Sequence, residues 1–159
     1  FKKIRISQEC KKSRGLFFLM SCKIYTDGSC IGNPGKGGWA AIIINNGKKK
    51  IISGSENYTT NNRMEIIAVI KALNTIKLKQ ATLITDSQYV KNGIEVWIHK
   101  WKDNGWMTAE KKPVKNKDLW MRLEAAMKVH QIEWCWIKGH AGHVENEKAD
   151  RLARDAIPT

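Results

Sequence analysis

Two aspartates close apolar strings of nearly the same make-up, Ile-Tyr-Thr-Asp-Gly-Ser at Asp27 and Leu-Ile-Thr-Asp-Ser-Gln at Asp86. In an open α/β sheet the carboxyl ends of the strands form the ligand crevice, so two strand-end aspartates can converge there. A strand-end aspartate is also a common turn former or helix cap, and that alternative stands for Asp86, which a helical stretch follows. Glu65 is the more informative acid. At helical spacing it shares a face with Ala68, Val69, Ala72 and Ile76, the small apolar side expected against a sheet. Burying a carboxylate there is costly unless it is paired or binds a metal. Asp150 follows Asn146 by four positions and precedes Ala153 by three, beside Ala149 and Leu152, so it too is expected to face inward. Neither helix offers an obvious basic partner on the same face. Four acids without compensating charge imply a cation from outside the chain. All-oxygen ligation suits Mg²⁺, with Mn²⁺ as a substitute. Two such ions about 4 Å apart can activate a water and stabilise the leaving oxygen in phosphodiester cleavage.

The elements that must carry these acids are legible in order. A strand from Lys23 leads into Thr26-Asp27-Gly28 and a turn. Residues 39–44 form a compact apolar strand, Asn46-Gly47 is a hairpin signal, and 48–53 return as the partner strand. Thr59, Thr60, Asn61 and Asn62 supply capping residues ahead of a helix over 64–76. A short strand over 81–85 ends at Asp86, and a helix over 87–97 follows. Residues 98–117 read as irregular, 118–129 as a helix, 131–137 as a strand, 139–143 as a loop and 145–156 as a closing helix. Three strands followed by alternating helix and strand predict an α/β fold. Its five-stranded mixed sheet would hold three antiparallel strands and then parallel ones, flanked by helices.

Composition narrows the partner. The 159 residues fit one domain. Lys and Arg outnumber Asp and Glu by 28 to 15, a net charge of +13 that favours a polyanion. Many soluble proteins are simply basic, and charge alone does not separate the two readings. No apolar run reaches the roughly 18–20 residues of a membrane helix, so a cytoplasmic protein without membrane contact is expected. Cys10, Cys22, Cys30 and Cys135 show no C-x-x-C spacing. Free thiols in a reducing compartment are expected, rather than a zinc site with His140 and His143. Residues 1–19 read apart from the rest, with six basic residues before Gly15 and no sustained periodicity. They are expected to be a disordered or non-native extension, with Met20 as the natural start and 20–159 as the catalytic domain.

Several strings, in this order, resemble the bacterial type 1 ribonuclease H family: Tyr25–Cys30 with Gly32-Asn33-Pro34-Gly35, TTNNRME at 59–65, TDSQYV at 85–90, GWMTAEKKPVKNKDLW ending at Trp120, and WIKGHAGHVENEKAD at 136–150. The similarity spans about 21–157. It implies a ribonuclease H-like fold and endonucleolytic hydrolysis of the RNA strand of RNA–DNA hybrids, leaving 5′-phosphate and 3′-hydroxyl ends. The family's metal-binding acids fall on Asp27, Glu65, Asp86 and Asp150, and its catalytic loop histidine on His140. That histidine would help in proton transfer or product release, and the flanking Gly139 and Gly142 favour the mobility this needs. On sequence alone His140 could equally fill a loop, and His143 reads as a helix-entry residue.

Between Lys91 and Lys117, seven lysines face three acids, with Trp97, Trp101 and Trp106 interleaved. The plain reading is a solvated helix whose tryptophans pack inward, expected for at least one of the three. The functional reading is a basic protrusion that grips backbone phosphates without reading sequence. The resemblance makes this segment the handle on the DNA strand, with Trp97, Lys100, Trp101, Lys102, Lys111, Lys112, Lys115 and Asn116 as contacts. It also places Cys30, Asn33, Thr60, Asn61, Asn62 and Gln88 against the hybrid's backbone and minor groove, where 2′-hydroxyls mark the RNA strand. Asn61 and Asn62 could instead be mere caps. The expected partner is the hybrid duplex, with no obligate protein partner and a monomeric chain. Three rivals remain at this stage: a strand-transfer or other nuclease on the same fold, a non-catalytic hybrid-binding module, and a structural basic protein. The last leaves Glu65 and Asp150 unexplained.

Overall fold

The computed structural model describes residues 22–77, 79–139 and 142–159, and the backbone of 5–7. Six strands form one sheet: β1 (Arg5–Ser7), β2 (Cys22–Cys30), β3 (Gly35–Asn45), β4 (Lys48–Thr59), β5 (Gln80–Thr85) and β6 (Gln131–Trp136). Their spatial order is β1-β6-β5-β2-β3-β4. β2, β3 and β4 pair antiparallel, while β2–β5, β5–β6 and β6–β1 are parallel. The five expected strands are present with the expected directions, and Arg5–Ser7 adds a short sixth beside β6. The expected start at Met20 lies outside the described residues.

Helices follow as α1 (Asn61–Thr75), α2 (Gln88–Asn92), α3 (Ile98–Asp103), α4 (Lys117–Lys128) and α5 (Val144–Asp155). Gly93–Trp97, between α2 and α3, is π-helical, so 88–103 is one continuous helical run. The sequence reading ended this helix at 97. Ile94 and Ile98 are buried and Trp97 and Trp101 pack against the core, so the apolar stripe carries the helix on through the lysines. Gly93 is required here, because a Cβ would fall inside the Trp120 ring over which the run passes. β4 also runs longer than the expected 48–53. Its second half is polar because it is a sheet edge, and the ladder to β3 continues to Gly35↔Thr59.

Two faces of the sheet are covered. α1 buries Met64 through Ile70, Ala72 and Leu73 against Ile24, Ile43, Leu83 and Trp134, and Trp120 of α4 joins the same core. Each such large apolar side chain contributes on the order of 2 kcal/mol. Adjacent residues of a strand point to opposite faces. Trp39 packs into the α1 core, whereas a Cβ on neighbouring Gly38 would run into the Ala153 carbonyl of α5. The α5 side is thinner, with Ala149 and Ala153 buried and Ile84, Cys135 and Ile137 clustered with Tyr25. Cys22 and Cys30 are free thiols as expected. Cys135 is not: it is disulfide-bonded, its partner lying outside the described residues. β1 runs alongside it, a neighbour that cysteine spacing does not signal. Among the described residues, no helix is long and apolar enough to cross a membrane.

Candidate active site

A difference in strand length makes the crevice. β2 pairs with β3 as far as Cys30↔Gly37, but its pairing with β5 stops at Tyr25↔Ile84. Asp27 therefore sits within β2, not at its end as the sequence suggested, at the point where that edge becomes free. The Gly28 N–H, no longer needed by a ladder to β5, donates to Asp27 Oδ1 and to Glu65 Oε1, both at 3.0 Å. Glu65 can reach it because Gly28 lets α1 approach closely. A Cβ there would lie 2.5 Å from the Glu65 nitrogen. Asp86 follows β5 directly. Its alternative as a helix cap falls away, since Ser87 accepts from the Val90 N–H and caps α2 instead.

Asp27, Glu65 and Asp86 each present a carboxylate oxygen, and these atoms lie within 4.8 Å of one another. Asp27 and Glu65 are buried and Asp86 half-buried. Asp150, on α5, lies outside this cluster but near enough to Asp27 to raise its carboxyl. It does have a basic partner, contrary to the sequence reading: Arg154, one helical turn on, at 3.1 Å. Asp150 is half-buried and that partner exposed, so the ion pair is partly screened.

The electrostatics follow from crowding. Burial pushes the Asp27 carboxyl up to about 7; the Asp86 charge and the neighbouring Asp150 add to this, while Glu65 and the Gly28 N–H oppose it. Burial likewise raises Glu65, reinforced by the Asp27 charge. Glu65 Oε2 is buried with no hydrogen-bond partner. Carboxylates that crowd each other into protonation form a site short of positive charge. The all-oxygen donor set and the unpartnered Oε2 fit a hard divalent cation.

His140 lies outside the described residues. His143 occupies the N-cap position of α5, without a side-chain cap bond. Among the expected substrate contacts, Asn33 Oδ1 accepts from the Asn61 N–H at 2.9 Å, tying the β2–β3 turn to the start of α1. Thr60 caps α1 by accepting from the Arg63 N–H, so Asn61 and Asn62 are free of that task. Cys30 Sγ lies 3.4 Å from the Thr59 carbonyl, in the same corner. Gln88 is exposed on the first turn of α2. Asn116 adopts a left-handed φ of 60°. Its Oδ1 accepts from Arg63 Nη1 and its Nδ2 donates to Tyr89 Oη. Trp97, Trp101 and Trp106 are all half-buried and packed in series, with ring centroids 5.8 and 6.1 Å apart. The inward packing expected for at least one thus applies to all three. Lys100, Lys102, Lys111, Lys112 and Lys115 are exposed, but Lys102 pairs with Glu124 at 2.9 Å. Two neighbours of Asp86 escaped the sequence reading. Asn146 Nδ2 lies 3.4 Å from Asp86 Oδ2, and a Cβ at Gly139 would approach the same oxygen to 2.9 Å.

The sequence profile described as RNase H matches residues 20–158. A protein of Bradyrhizobium diazoefficiens named Ribonuclease H is 62% identical over 136 residues, covering 84% of this chain and 88% of its own. A Ribonuclease H of Rhodopseudomonas palustris is 61% identical, over 84% of this chain and 87% of its own. The crystal structure of LC9-RNase H1, a type 1 RNase H with the type 2 active-site motif, superposes with a TM-score of 0.77. It is 33% identical and covers 86% of this chain and 71% of its own. With the acids converging at a free strand edge and a profile that spans all but the first residues of the chain, this protein belongs to the ribonuclease H family.

Proposed function

We propose that the chain is an endoribonuclease that hydrolyses the RNA strand of RNA–DNA hybrids, leaving 5′-phosphate and 3′-hydroxyl ends. The observation that carries this reading is the convergence of Asp27, Glu65 and Asp86 oxygens within 4.8 Å at the free edge of β2. The names of the relatives at about 60% identity support it. Asp27, Glu65, Asp86 and Asp150 would hold two Mg²⁺ ions with substrate present, and Mn²⁺ could replace them. Bound there, the cations supply a nucleophilic water near neutral pH and charge stabilisation for the leaving oxygen. The Gly28 N–H keeps Asp27 and Glu65 turned toward one another, and burial of both holds bulk water away. His140, between Gly139 and Gly142, would carry the proton transfer or help product leave. Asn33, Thr60, Asn61, Asn62, Gln88 and Cys30 would line the minor groove, with Asn116 and the Trp- and Lys-rich segment on the DNA strand. Residues 20–159 would constitute the catalytic domain, acting as a cytoplasmic monomer with no obligate protein partner, and 1–19 an extension that lends its sheet the short strand β1.

End-labelled RNA annealed to DNA, annealed to RNA, and single-stranded, each with Mg²⁺ and with EDTA, tests the reading. Cleavage is expected for the hybrid alone and only with Mg²⁺. Tight hybrid binding without any cleavage would instead make this a binding module, and nicking of supercoiled DNA would favour the strand-transfer rival.

A further inference from the structure

One oxygen of the site is gripped from two sides. Asp86 Oδ2 faces the Nδ2 of Asn146 at 3.4 Å and the bare backbone of Gly139. The three heavy atoms nearest a Cβ at Gly139 all belong to Asp86, with Oδ2 at 2.9 Å. Asn146 is 2% exposed, and it sits in the first turn of α5, one turn before Asp150. An amide has one donating and one accepting end. The carboxylate demands the donor, which leaves Asn146 Oδ1 as the other end, and that atom is buried with no hydrogen-bond partner. Leaving a buried acceptor bare is costly, so packing alone would favour an apolar residue here. At 3.4 Å the contact is long for a charge-assisted bond.

We propose that Asn146 and Gly139 are positioning residues for Asp86: Asn146 holds Oδ2 by donation and Gly139 leaves it the space to stand there. The inference rests on Asp86 being a metal ligand. Partners that orient ligating carboxylates are worth roughly 10–100-fold in metal affinity. α5 then serves the site twice, through Asp150 and through the amide that registers β5's carboxylate against the helix.

The test is calorimetric titration of the free protein with Mn²⁺ alone, for Asn146→Ala, Gly139→Ala and Asp86→Asn. Hybrid binding in EDTA and thermal melting are measured in parallel. Gly139 does not have a left-handed φ, so alanine there strains no backbone and meets first the carboxylate. Both Asn146→Ala and Gly139→Ala are expected to weaken Mn²⁺ binding by roughly tenfold, with hybrid binding in EDTA within twofold of wild type. Unchanged Mn²⁺ affinity in these two, with weakened affinity in Asp86→Asn, would overturn the positioning role alone. Unchanged affinity in all three would overturn the metal reading of Asp86 as well. Should Asn146→Ala fail to fold, Gly139→Ala decides, because it removes no buried partner.

Discussion

A carboxylate whose pKa is raised by its surroundings is a liability in the metal-free fold. Asp27 stands at about 7 against an ordinary value near 4, so the folded chain retains a proton that the unfolded chain releases. The destabilisation is absent below about pH 4, where both states are protonated. It grows as pH rises toward 7, where both lose the proton. Asp118 has the opposite sign: Arg63 holds it below the usual range, so its contribution appears above the unfolded pKa and fades on acidification. Comparing variants isolates the site. In EDTA at pH 8, Asp27→Asn should melt several degrees above wild type, and the advantage should vanish at pH 4. Equal melting at both values would mean that burial and the neighbouring acids do not hold the Asp27 proton. Mg²⁺ should raise the wild-type midpoint at pH 8, because it binds the folded state. Asp86→Asn should abolish cleavage while hybrid binding in EDTA persists; near-normal turnover would show the site misassigned. At this scale Asp27 and Asp86 were legible as acids that close apolar strings, and Glu65 because apolar periodicity makes a buried carboxylate conspicuous. Gly139 and Asn146 were not: a bare backbone and a neutral amide look ordinary until the distance to Asp86 is known. Arg154 was missed because the face that Asp150 presents is only half inward.

The helical run of 88–103 and the loop to α4 form the element on which substrate grip is proposed. Trp97, Trp101, Trp106, Tyr89 and Trp120 make it a rigid aromatic wall, so its lysines are mounted on something that does not yield. Lys102 is occupied by Glu124 and Lys112 meets only the exposed Glu110 at 3.9 Å, which leaves Lys111, Lys112 and Lys115 as the better reporters. Replacing all three with alanine should raise KM severalfold more than it lowers kcat, read from steady-state cleavage at fixed salt. A loss confined to kcat would assign the segment a structural role. Gly93→Ala tests the wall itself. The added Cβ enters the Trp120 ring, and overpacking of this kind costs about 1–3 kcal/mol, measurable by urea denaturation. An unchanged midpoint would mean that the run does not lie over Trp120 in solution. Propensity hid only the second half of this element in the sequence. The helix is legible as far as Trp97, the lysine-rich stretch beyond it reads as irregular, and only the tertiary packing of Ile98 and Trp101 shows why the helix persists. The Asn46-Gly47 hairpin, by contrast, was plain, since both residues adopt the positive φ that such a turn requires.

For the whole molecule, a net charge of +13 predicts binding dominated by phosphate contacts. Hybrid affinity in EDTA should fall by roughly tenfold or more between about 50 and 200 mM salt, with a linear log–log slope. A flat dependence would remove the basic surface from the recognition account. The fold class was readable because three hairpin-like strands followed by alternating helix and strand leave few topologies. The lengths of β2, β4 and β5 were not readable, although their mismatch is what opens the crevice. Asp27, Glu65 and Asp86 come from β2, α1 and the end of β5, and Asp150 rides on α5, the element that follows every other in chain order and packs on the opposite face from α1. If Asp150 is the fourth ligand proposed above, a nascent chain could bring Asp27, Glu65 and Asp86 together and still lack the acid that α5 carries, so cleavage would wait on the docking of that helix.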